Sequence, residues 1–204
     1  MAERLRMFPL GTVIFPYSGV PLRVFEPRYQ ALLDDVLSEE CSFGSVLIER
    51  GFEVGGGDVR SSIGTRLRVL AHQDLSDGHR AIVVAGVERI RVLEWLEDAP
   101  HPWAMVERMD DPIEDVSDLR GEVCGRLERM LAMASELGAD TADVDLDVGG
   151  DPVAVSYQLA SLIPVTPLDS YVLLGATGPR ERMRRAIEML DDQIELIRLQ
   201  LGGS

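Results

Sequence analysis

The sequence predicts an α+β protein, a β-barrel with one inserted helix over residues 1–111 followed by an α-helical bundle over residues 112–204. Three observations carry the prediction. Up to Asp110 the apolar residues fall in short runs, several of them alternating, whereas after Asp111-Pro112 they recur every three or four residues. The first half is rich in β-branched and aromatic residues, and many short strands with one interrupting helix point to a closed or nearly closed barrel that removes exposed edges. With 204 residues, 46% of them hydrophobic and 27% charged, the chain is long and apolar enough to bury a core.

The elements follow in order. Residues 20–25 read as a strand, and Pro27 opens a helix whose Tyr29, Leu32, Leu33 and Val36 form the buried stripe. Strands follow over residues 43–49, 64–75, 79–97 and 103–109, with Asp77-Gly78 as the tight turn of a hairpin. In the fourth strand, Ile90 and Val92 take one face while Arg89, Arg91 and Leu93 take the other. The helical half begins with a stripe at Val116, Leu119, Val123, Leu127, Met130, Ala134 and Leu137 that ends near Gly138. Three further helices start at Asp151-Pro152, Thr166-Pro167 and Gly178-Pro179, each with proline where a missing N–H costs nothing. In the last, Met183, Ile187, Leu190, Ile194, Ile197 and Leu201 are spaced 4, 3, 4, 3, 4, a seam expected to pack inside this lobe.

Charge removes several function classes. The net charge is −15, with 12 Arg against 17 acids in residues 1–110 (−5) and 8 Arg against 18 in residues 111–204 (−10), so a phosphate-neutralising surface is not expected. All 20 basic residues are arginine. Without lysine there is no phosphate-loop cation, Schiff base or Ser-Lys dyad. No run is apolar enough for a membrane span and the N-terminus lacks a signal-peptide core, so a cytoplasmic protein is expected, with Cys41 and Cys124 reduced.

The remaining chemistry is sparse. Three consecutive glycines, Gly55 to Gly57, lead back into a strand and read as a hairpin tip, not a phosphate loop. The acidic run from Asp143 to Asp151 places Val148 and Ala154 where a calcium loop needs Gly and Glu, and reads as a solvated loop. His72, His79 and His101 share no ligand spacing; an approach of His72 and His79 across the Asp77-Gly78 turn is the one arrangement that would suit a surface metal contact, and no further ligand converges there. No metal, cofactor or catalytic residue is expected. Trp95, Trp103, Tyr17 and Phe25 read first as core, in a chain only 5% aromatic.

At this point the residues carry a resemblance. "FPLGTVIFPYSGVPLRVFEPRYQALL", "FGSVLIERGFEVG", "IGTRLRVL", "DGHRAIVVAGVERIRV" and "PWAMVERM", with "LRGEVCGRLERML", "DPVAVSYQLASLIPVTPLDSYVLL" and "RERMRRAIEML" after them, resemble in order the Lon substrate-binding domain, the N-terminal domain of ATP-dependent Lon protease. The resemblance covers nearly the whole chain. It implies a PUA-like barrel followed by a helical bundle, here standing alone without ATPase or peptidase domains. It further implies a non-enzymatic module that binds unfolded polypeptide or a specific protein partner, with oligomeric state left open. The alternative is a small molecule or nucleotide in the barrel mouth, and RNA binding is opposed by the charge. The stretch Glu26-Pro27-Arg28-Tyr29 reads first as a helix start. Glu26, Arg28, Tyr29, Trp95 and Trp103 are the residues that could contact a polypeptide.

Overall fold

A computed structural model describes residues 1–39, 42–50, 59–138 and 150–202. The glycine run, most of the acidic run and Cys41 lie outside the described residues. The chain divides into two compact units, Met1–Asp110 and Asp111–Ser204. It is a mixed α and β protein, with a six-stranded antiparallel sheet in the first unit. Among the described residues no helix is long and apolar enough to cross a membrane.

The first unit contains β1 (Glu3–Arg6), β2 (Gly19–Val24), α1 (Pro27–Ser38), β3 (Phe43–Arg50), β4 (Val59–Asp74), β5 (Arg80–Trp95) and β6 (Trp103–Arg108). Sheet order is β1-β6-β5-β4-β3, and β2 pairs with the first half of β5. The ladder is therefore an open path, where a closed or nearly closed barrel is expected. Beyond β1, Met7 donates to the Pro102 carbonyl at 2.8 Å, after which Pro9 has no N–H to continue on that side. The segment instead bridges β3 in parallel at Met7↔Gly44 and Leu10↔Leu47. The β4–β5 hairpin turns at Gly78, whose φ of +79° suits glycine.

Bulges decide which side chains are buried. Between Arg66/Leu67 on β4 and Gly86/Glu88 on β5 the register shifts by one, with Val87 as the extra residue. Before the shift, Ile82 and Val84 are buried together with Leu67 beneath α1, whose Tyr29, Leu32, Leu33 and Val36 complete that cluster. After it, Ile90 joins Leu5, Met7, Val46, Ala104 and Val106 in a second cluster. Arg89 then pairs with buried Thr65 and is itself only 3% exposed. Arg89 and Arg91 share a face, as alternation predicts, yet only Arg91 is exposed. Gly86 is needed where the chain crosses β5, since a Cβ there would stand 2.1 Å from the Phe15 carbonyl oxygen.

The second unit contains α2 (Ser117–Glu136), α3 (Pro152–Ser161), α4 (Pro167–Leu174) and α5 (Pro179–Gly202). Leu119, Val123, Leu127 and Met130 of α2 and Met183, Ala186, Leu190 and Ile194 of α5 are buried, and α5 packs on α2 and α3. The expected stripes fade at their C-terminal ends, where Leu137 is exposed and Ile197 only half-buried. Asp151 caps α3 by accepting from the Val153 and Ala154 N–H groups, and Thr166 caps α4 by accepting from the Asp169 N–H. At the start of α5 the Arg180 N–H is taken at 2.9 Å by the carboxylate of distant Glu114.

Candidate functional site

The turn from β2 into α1 gathers three of the five residues singled out from sequence. Glu26 has extended φ/ψ and Pro27 opens the helix, as proline at that position requires. Glu26 makes no cap hydrogen bond to the backbone; its carboxylate accepts instead from Arg28 Nε at 3.0 Å. The Arg28 guanidinium lies 4.4 Å above the Tyr29 ring, and Tyr29 stacks on Phe8 with centroids 4.1 Å apart. Tyr29 is only 2% exposed, so it shapes the site from behind and offers no surface of its own.

In front of that stack is a cavity of about 40 Å³, walled by Phe8, Leu10, Leu22, Val24 and Tyr29 with Arg23, Phe25 and Glu26 at its edge. Phe25 is 47% exposed, an aromatic left in water at the mouth of an apolar pocket. Its ring tilts on His79, 5.9 Å away. Arg23 donates to His79 Nδ1 at 3.2 Å and pairs with Asp77. The His79 backbone N–H, with His79 and Arg23 beside it, holds the Asp77 carboxyl below its usual range. Gln30 ties the rim together by donating to the Phe25 and Gly78 carbonyls at 3.3 and 3.0 Å.

The charged groups at the site pair with one another, Glu26 with Arg28 and Arg23 with Asp77. No group of three or more His, Cys, Asp or Glu side chains converges as a metal site among the described residues. His79 faces Arg23 and Asp77, while His72 sits across from Ile82 on β4. Cys124 is free in the helical unit, and burial pushes its thiol up, away from reactivity.

Trp95 and Trp103 are not part of this pocket and do not form one site. Trp95 pairs with Ala104, so Trp103, the next residue along β6, points to the opposite face. Trp95 packs on the second core cluster under the Arg60 guanidinium, 4.4 Å from its ring. Trp103 is covered by Arg4 and Arg6, at 4.0 and 4.7 Å, beside buried His101. His101 Nε2 lies 3.0 Å from Asp35 on the later half of α1, and Arg6 reaches Asp35 and Glu39. Sequence reading missed Phe25 as an exposed group and missed the Arg23–His79 rim. Only the Val24↔Arg80 register brings the hairpin turn to the start of α1. The legible signal was an aromatic directly before Glu-Pro, where a buried strand end was assumed.

Comparison with known proteins is consistent along the whole chain. Residues 4–192 match the family described as the ATP-dependent protease La (LON) substrate-binding domain. The Lon protease 2 of Sorangium cellulosum is 28% identical over 210 residues, covering 98% of this chain and 26% of that protein. The Lon protease of Syntrophus aciditrophicus is 22% identical, with the same coverage of each. The chain thus spans about a quarter of the length of these relatives. Among solved structures, a Lon N-terminal domain protein from Xanthomonas campestris superposes with a TM-score of 0.70 at 26% identity, covering 91% of this chain and 98% of that one. The N-terminal domain of Mycobacterium avium complex Lon protease gives 0.67 at 19% identity over 93% and 99% of the two chains, which speaks for the fold. The match over residues 4–192 shows that the chain belongs to the family of the LON substrate-binding domain.

Proposed function

We propose that this chain is a non-catalytic polypeptide-recognition module acting in the cytoplasm, and that its contact site is the rim formed by Phe25, Glu26 and Arg28 with Tyr29 as the rear wall. The observation that carries the reading is Phe25, nearly half exposed at the mouth of an apolar cavity whose neighbouring charges are already paired. Such a rim suits an apolar side chain of an unfolded or partly folded polypeptide: the tip enters between Leu22 and Tyr29, and Glu26 and Arg28 meet its backbone or polar neighbours. The family to which the chain belongs supports it. The absence of lysine from all 204 residues supports the non-catalytic part. We read residues 1–111 as a PUA-like barrel in which the Met7–Leu10 bridges to β3 stand in for the last ladder, and residues 112–204 as its helical lobe. A cavity of about 40 Å³ argues against a small molecule or nucleotide in this place, because such ligands use pockets of about 300–1,000 Å³. Trp95 and Trp103, each already covered by arginine, are secondary contacts at most in this scheme.

The test is binding of a fluorescein-labelled, reduced and alkylated unfolded protein, followed by anisotropy. Phe25→Asp should weaken binding roughly tenfold while the melting curve is unchanged. Undiminished binding by a folded Phe25→Asp variant would remove the site from this rim.

A further inference from the structure

The outward side of α5 carries a second periodic face. Arg185, Met189, Asp192, Leu196 and Leu199 are spaced 4, 3, 4, 3, and at 3.6 residues per turn they lie opposite the buried Met183–Leu190–Ile194 seam. Leu196 is 54% and Leu199 65% exposed. Toward the helix start this face forms one wall of an open groove of about 550 Å³, and Asp169 and Val172 of α4 form the other. Val172 and, one turn earlier, Leu168 are exposed on α4. The apolar ground of the groove, Val172 with Met189, therefore runs on into exposed leucines.

The charge around it is one-sided. Glu181 is engaged at the helix start, accepting from the Thr177 hydroxyl, from its N–H and from Arg185, and these contacts lower its carboxyl to about 2. Asp169 accepts from the Thr166 hydroxyl at 2.7 Å. Glu188 and Asp192 have no hydrogen bond or ion pair among the described residues, and Arg184 is the remaining cation of the groove. The helical half as a whole carries the larger share of the −15.

We propose that this α4–α5 groove docks a cationic amphipathic segment of a partner protein. Its apolar side chains rest on Val172, Met189 and Leu196, and its arginines or lysines face Glu188 and Asp192. Complementary charge selects this occupant. A second copy of the chain would bring a net −15 against the same carboxylates, and a nucleic acid would bring phosphates, so both are opposed by like charge. The volume is enough for two or three side chains, which makes this a groove for a segment and not a pocket for one residue.

The experiment titrates the full chain into three fluorescein-labelled synthetic peptides: an amphipathic helix of leucine and arginine, its leucine and glutamate counterpart, and an arginine peptide of equal charge with serine in place of leucine. Only the first should bind, and more weakly as salt is raised. Glu188→Arg with Asp192→Arg, and separately Val172→Asp, should each weaken it roughly tenfold. If Val172→Asp fails to fold, Leu199→Asp on the same exposed face replaces it. Equal binding of the serine peptide would reduce the effect to attraction by net charge and overturn the proposal. Unchanged binding by the folded double charge reversal would overturn it too, as would loss through Phe25→Asp alone, which would move the peptide to the α1 rim. A concentration-dependent dimer in sedimentation that Leu199→Asp abolishes would assign the face to a second copy instead.

Discussion

Arginines stacked on aromatic rings are used in opposite ways in the two units. In the β-rich unit Arg4, Arg28 and Arg60 lie over Trp103, Tyr29 and Trp95, at 4.0 to 4.4 Å; Arg4 is exposed, Arg28 pairs with Glu26 and Arg60 with Asp98. In the helical unit Arg182 is wholly buried, 3.5 Å above Tyr157. Its three nitrogens are used: one donates to Asp111 at 2.7 Å, one to Ser156 at 2.6 Å and one to the Leu173 carbonyl at 3.2 Å. Asp111 also accepts from the Tyr157 hydroxyl at 2.7 Å. The same planar cation is a removable cover on a strand surface and an obligatory member of an enclosed network between helices.

The largest expected effect tests that contrast directly. Arg182→Ala leaves the buried Asp111 carboxylate without its cation, and should destabilise the helical unit by about 3–5 kcal/mol in urea unfolding. Replacing the pair together, Arg182→Met with Asp111→Leu, should recover most of the loss, because no uncompensated charge is left behind. Arg4→Ala should cost less than about 1 kcal/mol, the range of an exposed cation–π contact. Equal losses at Arg4 and Arg182 would break the comparison.

The same division exists within α5. Ile194 is 5% exposed on the seam against α2, so Ile194→Asp buries an unpaired carboxylate and should cost about 3 kcal/mol, lowering the melting temperature at every protein concentration. Circular dichroism melts with light scattering check it. A folded monomer arising from a dimeric parent would mean that the seam joins two chains.

How much of this could be read beforehand follows from the period of each element. The helices were legible because three proline starts and a repeat of three or four residues act over many turns, and Asp151 and Thr166 do cap where expected. The start of α5 was legible at Gly178-Pro179, but its cap was not, since Glu114 comes from 66 residues away along the chain. β1 was missed because four residues with one buried position carry no period. Arg89 and Arg91 do share a face opposite Ile90, but the burial of Arg89 was not legible, because the extra residue at Val87 is a pairing event between β4 and β5, invisible in either strand alone. For the site, Glu26, Arg28 and Tyr29 were found as a start signal, yet the burial of Tyr29 depends on Phe8, a residue no local pattern connects to α1. Trp95 and Trp103 looked equivalent as large aromatics. Only register puts them on opposite faces.

The smallest effect sharpens the comparison from the exposed side. Asp35 is 44% exposed, and the His101 hydrogen bond, with Arg6 beside it, holds its carboxyl below the ordinary 3.8. A carboxylate depressed in the folded state contributes stability that is present above its unfolded value and is lost as pH falls through the lower folded one. Asp35→Asn keeps an acceptor for His101 but removes the charge, so it should cost less than about 1 kcal/mol at neutral pH, given screening by solvent at this exposure. The gap between parent and variant should then close as pH is lowered from 3.8 through the depressed value, because the parent's carboxyl becomes neutral as well. Urea unfolding of both proteins across that window is the measurement. A gap that stayed constant into acid would mean that Asp35 acts through packing alone, and the exposed ion pairs of the β-rich unit would then be inert covers even where they close on a buried histidine.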